Sequence, residues 1–171
     1  MISTNGWTDE LLFKTVLNHQ MKGIIFHNDM MALYEFCSLH KYSHKHKVRT
    51  KEEMGNFIKT QRYYINNYGK MPKIDGSSNT SVIPSQAYSA NTKEITYDYR
   101  CKMLKESLNK WLEWEKETME LYLACCSYAL TKQKKDYVLW KKLLKETSEE
   151  HDCILEEIRK LQMISYDVKA L

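Results

Sequence analysis

The chain has 171 residues, of which 43% are hydrophobic and 28% charged, and its net charge is +4. That size and balance fit one soluble globular domain with enough core to stand without metal or disulfides. No apolar run approaches the ~20 residues that cross a bilayer, and Met1-Ile2-Ser3-Thr4-Asn5-Gly6-Trp7 lacks the basic and apolar regions of a signal peptide, so a cytoplasmic protein is expected.

Five glycines and two prolines leave few breakers, which predicts an all-α chain of long helices. Cys37, Cys101, Cys125, Cys126 and Cys153 are odd in number and form no CxxC pair, so neither a disulfide framework nor a structural zinc site is expected.

In chain order, Thr8 with Asp9 and Glu10 supplies a cap and an acidic first turn. Leu12, Val16, Phe26, Met30, Leu33 and Cys37 then recur at helical steps, predicting helix A over 9–39. A polar basic stretch, Lys41 to Lys51, precedes helix B, predicted over 50–68 and ended by Gly69, with its start between 41 and 52. Residues 70–91 hold Pro72, Pro84, Gly76 and a polar run without periodicity. A connection of that length has a topological reason if it crosses between two helix hairpins. Helix C is predicted over 92–130, with Leu104, Leu108, Trp111, Met119, Tyr122 and Cys126 on one face. Helix D is predicted over 134–163, with Trp140, Leu144, Leu155, Ile158 and Leu161 inward. The expected architecture is a single-domain four-helix bundle of two antiparallel hairpins.

Charge is uneven. Residues 40–73 carry nine Lys or Arg against Glu52 and Glu53, a local excess of seven, whereas residues 93–171 balance at fifteen against fifteen. Two apolar stripes are each interrupted by one ionisable side chain, Glu115 between Trp111 and Tyr122 and His151 between Leu144 and Leu155. Such a group must be hydrogen-bonded, paired or bound to metal.

Leu17-Asn18-His19-Gln20 resembles the start of the first ferritin helix, and Trp111-Leu112-Glu113-Trp114-Glu115-Lys116-Glu117-Thr118 resembles its third. Arg62 to Tyr68 and Trp111 to Tyr122 also resemble small uncharacterised ferritin-like proteins of phages and mobile elements of low-GC Gram-positive bacteria, over most of residues 17–167. The resemblance implies a ferritin-like bundle. A di-iron centre in that fold takes four carboxylates and two imidazoles, and here the set is damaged. Gln61 and Tyr64, or Thr60 and Tyr63, stand where Glu-x-x-His belongs in helix B, and Ser148 lies three before His151. Glu115, Glu150 and His151, with His19, His27 and Glu35 as weaker additions, are the ligands the resemblance would supply for iron, manganese or zinc in a metal-binding or oxygen-handling protein. The alternative for Glu115 is a satisfied polar network that fixes helix register.

His40, His44 and His46 lie among Lys41, Lys45 and Lys47 and read as a solvated basic face. The lysines Lys41, Lys45 and Lys47, with Arg49, Lys51, Lys59, Arg62, Tyr63, Tyr64, Lys70 and Lys73, form the candidate partner-binding surface, suited to an acidic protein or nucleoprotein or to weak nucleic-acid contact. The alternative places the tyrosines in the core with their hydroxyls reaching out. Phosphate loops, GxSxG and HExxH are missing, so no catalytic residue is assigned. The expectation is a non-enzymatic binding factor of phage or mobile-element origin that inhibits a host nucleoprotein or defence complex in an anti-CRISPR-like manner. A residual ferritin-like oxidase is the alternative, no membrane partner is expected, and a homo-oligomer is left open.

Overall fold

The computed structural model describes residues 2–75 and 95–171. Among these the chain is all-helical, in agreement with the expected class. It has four long helices, α1 (Asp9–Phe36), α2 (His40–Tyr68), α3 (Tyr97–Thr131) and α4 (Tyr137–Met163), a 3-10 turn at Val168–Ala170, and no strand. No helix among the described residues is long and apolar enough to cross a membrane.

The contacts separate two compact units, Trp7–Ile95 with α1 and α2, and Thr96–Leu171 joined by Met1–Gly6 with α3 and α4. In the first, Thr8 Oγ1 accepts from the Leu11 N–H at 3.2 Å and opens α1 over the acidic pair Asp9 and Glu10. α1 stops at Phe36, short of the expected 39. The Ser38 N–H bonds the Glu35 carbonyl at 2.9 Å and the Leu39 N–H reaches back to Tyr34 at 2.8 Å, while Ser38 takes a left-handed φ of 55°. This is a Schellman ending built on serine instead of glycine.

α2 begins at His40, so the basic stretch expected to precede helix B is its first three turns. Ser43 Oγ donates to Glu35 Oε1 at 2.6 Å and His40 Nδ1 lies 3.3 Å from the other carboxylate oxygen, clasping the turn. At the far end Gly69 closes α2 with φ 64° and its N–H on Ile65. The predicted crossover at 70–91 is described only to Asp75. There Lys14 pairs with Asp75 at 2.8 Å and Asn18 accepts the Asp75 N–H. The rest of that segment lies outside the described residues.

In the second unit α3 starts at Tyr97, later than expected, because Thr96 is its cap and accepts from the Tyr99 N–H. The ends of α3 and α4 repeat the α1 ending, with Gln133 (φ 52°) and Ser165 (φ 51°) in the left-handed position and 6→1 bonds from Lys134 to Ala129 and from Tyr166 to Leu161. Leu104, Leu108, Trp111, Tyr122 and Cys125 of α3, and Trp140, Ile154, Ile158 and Leu161 of α4, are buried. Cys37 and Cys126 are also buried, Cys101 is half-buried and Cys153 is exposed.

Candidate functional site

The inward side of the α1–α2 hairpin is polar at a regular interval. α1 buries Gln20, His27 and Tyr34, and α2 buries His46, Glu53 and Thr60, each set spaced by seven. Seven residues are close to two helical turns, so each set forms one line along its helix. Because the helices run in opposite directions, the bond from Gln20 Nε2 to Thr60 Oγ1, 3.1 Å, sets a register that brings Tyr34 level with His46. Their rings stack at 5.3 Å.

Between these layers His27 Nδ1 lies 2.9 Å from His46 Nδ1. Both side chains are 0% exposed. A hydrogen bond between two Nδ1 atoms needs one of them protonated and the other bare, so the neutral rings are opposite tautomers sharing one proton. Burial keeps them neutral. His46 is pushed down to about 3 by desolvation, with Arg49 and Lys45 adding to it. His27 is driven well below the usual range by desolvation, then by His46 and Arg49. Arg49 is held by Glu52 at 2.8 Å and by Glu53 at 3.7 Å. Phe26 meets the His27 ring edge-on at 5.1 Å. The chemistry open to this pair is to hold a proton between two helices and to fix their register.

This pair corrects one expectation: His40 and His44 are exposed, but His46, expected with them on a solvated face, is interior. The Nδ1 of His27, one of the weaker metal candidates, faces the imidazole of His46. The spacing of His46, Glu53 and Thr60 carried the signal, but a helix begun near 50 cuts it in two.

The other metal candidates are dispersed. Glu115 is buried and its Oε1 accepts from Trp111 Nε1 one turn back at 3.0 Å. Glu150 is half-buried, and His151 Nδ1 sits 3.3 Å from Asp152 Oδ1 near the surface. His19 is half-buried and lowered to about 4 by desolvation and Lys22. Glu35 is exposed and held low chiefly by the Ser43 hydroxyl, against the opposing effect of desolvation, with His40 and Lys47 adding to the lowering. Among the described residues no three His, Cys, Asp or Glu side chains converge to hold a metal ion. The donor set implied by the ferritin resemblance therefore does not fit, and no step is derived through a metal.

The candidate partner surface divides. Lys41, Lys47, Lys51, Lys59 and Arg62 are exposed along the outward side of α2, and Lys70 and Lys73 follow it, also exposed. Lys45 is half-buried, and it and Lys41 reach over the Tyr42 ring at 5.6 and 5.4 Å. Arg49 is half-buried and engaged by Glu52 and Glu53. Tyr64 is interior, 4.9 Å from Phe13 and stacked on Tyr68, and Tyr63 is half-buried against Phe13. The tyrosines thus belong largely to the hairpin core. Val48, Met54 and Ile58 stand exposed among the lysines, apolar members the charge count passed over.

Comparison with models of protein families, with curated proteins and with solved structures finds no match.

Proposed function

We propose that this chain is a non-enzymatic binding protein that docks an acidic protein or nucleoprotein surface through the outward side of α2. The observation that carries this reading is the composition of that side. Lys41, Lys47, Lys51, Lys59 and Arg62 alternate with exposed Val48, Met54 and Ile58 over most of the helix, while Glu52 is engaged by Arg49. Cations give long-range steering toward an acidic surface, and the interleaved apolar side chains supply the area a stable interface needs.

The likeness of the helix sequences to ferritin-like proteins supports a derived ferritin-like bundle that has given up its oxidase centre, since among the described residues the donor positions that fold would use do not converge. The further likeness to proteins of phages and mobile elements supports action inside a bacterial host against a nucleoprotein or defence complex.

The test is charge reversal at Lys47, Lys51 and Arg62 together, all exposed, so that the fold is kept. A partner captured from host lysate and identified is titrated in purified form against both proteins. Affinity should fall at least tenfold, about 1.4 kcal/mol or more. Unchanged affinity removes the reading. A partner that proves to be nucleic acid alone, with affinity falling steeply in salt, reassigns the face to backbone phosphate.

A further inference from the structure

The balanced charge of residues 93–171 conceals a concentration. From 132 to 145 the chain places Lys132, Lys134, Lys135, Lys141, Lys142 and Lys145 against Asp136 alone. Three of these, Lys141, Lys142 and Lys145, with Glu149 as the one acidic side chain, edge an open groove of ≈ 730 Å³ between α3 and α4, whose apolar lining is Met119, Leu123, Val138 and Leu144. Leu123 is 50% exposed and Val138 74%. On α3, Leu112, Met119, Leu123 and Leu130 are spaced 7, 4 and 7, steps that return to one side of a helix, and none of the four is buried. Large apolar side chains left open in a line, beside a basic edge, mark an interaction surface.

We infer that this groove receives an amphipathic helix of an acidic partner, its apolar stripe seated on Leu123 and Val138 and its flanking carboxylates on Lys141, Lys142 and Lys145. The proposal goes beyond the reading of α2, involves a different pair of helices, and stands without it. Two other occupants fit the same groove less well. A second copy packed groove to groove would set three lysines and one glutamate, Glu149, against the same set, a net repulsion. An acyl chain carries one carboxylate for three lysines, whereas an amphipathic helix satisfies its own backbone and can bring several carboxylates along its flanks. The lysines are available for exchange, since Lys142–Glu146 at 3.9 Å and Lys145–Glu149 at 3.7 Å are exposed pairs along α4, a class that contributes little to stability.

The probe is a fluorescein-labelled helical peptide of ~18 residues, five turns, with leucines at i, i+4, i+7 and i+11 and glutamates on both flanks. A control peptide has lysine in place of every glutamate. Fluorescence anisotropy should show the acidic peptide binding at least tenfold more tightly than the control. Leu123→Asp and, separately, Val138→Asp should weaken it at least tenfold while circular dichroism stays unchanged, and two variants at exposed positions guard against one failing to fold. Lys141→Glu with Lys145→Glu should reverse the order of the two peptides, and the α2 charge reversal should leave binding as it was. The inference is overturned if the acidic peptide does not bind, if both peptides bind equally, or if neither aspartate matters. Abolition by the α2 variant alone would also overturn it, as would sedimentation showing a dimer that Val138→Asp dissolves, or laurate binding in the groove where the peptide does not.

Discussion

The shared proton of His27 and His46 ties the stability of the first hairpin to pH. Both imidazoles, and His19, have values in the folded chain below the ordinary value of 6.5. Below pH 6.5 the unfolded chain therefore takes up protons that the folded chain refuses, and stability falls as the medium is acidified. The loss is about 1.4 kcal/mol per pH unit for each histidine. It levels off near pH 4 for His19 and near pH 3 for His46. Urea unfolding at pH 7, 6 and 5 should show this slope. His46→Phe should reduce it by one proton and cost about 1–3 kcal/mol at pH 7, because His27 loses a buried partner. At this scale the sequence told polar from apolar but not inside from outside. His46 sits between lysines and reads as wet, and only the interval it shares with Glu53 and Thr60 points inward.

At the level of elements, three helix ends were read closely, 68, 130 and 163 against Tyr68, Thr131 and Met163, whereas the starts expected at 50 and 92 lie at His40 and Tyr97. Thr8 and Thr96 both accept from the N–H three residues on, and Thr8 with Asp9 and Glu10 signalled the start of α1 in sequence. The ends of α1, α3 and α4 lack the glycine that usually marks them. Ser38, Gln133 and Ser165 occupy the left-handed position, where a side chain costs energy that glycine does not pay. The expected helix A overran this stop for that reason, and the start of α2 was then misplaced. Ser38→Gly, Gln133→Gly and Ser165→Gly should each be neutral or stabilise by up to about 1 kcal/mol. Thermal unfolding of the three single variants measures it, and a loss above that size at any position would mean that the native side chain makes a contact worth more than the strain.

Over the whole molecule, charge is arranged by unit. One basic region runs along α2, and a second surrounds the turn between α3 and α4. The first was plain from a count, but the second was averaged away by the acidic stretches on either side of it. The all-helical class and the four long helices were legible from period and from the scarcity of breakers. The interior of the first hairpin was not, because its polar ladder depends on register between two helices. Thiol burial gives each unit its own clock. Cys37 lies inside the turn of the first hairpin and Cys125 inside the second, where burial pushes its thiol far up, while Cys153 stands in solvent. An alkylating reagent should modify Cys153 within the mixing time and reach Cys37 and Cys125 only through opening. Mass spectrometry of the labelled peptides would then time the two openings in a single tube. Equal rates that respond together to urea would mean that both hairpins unlock in one event, and separate rates would mean that either one can open while the other keeps its shape.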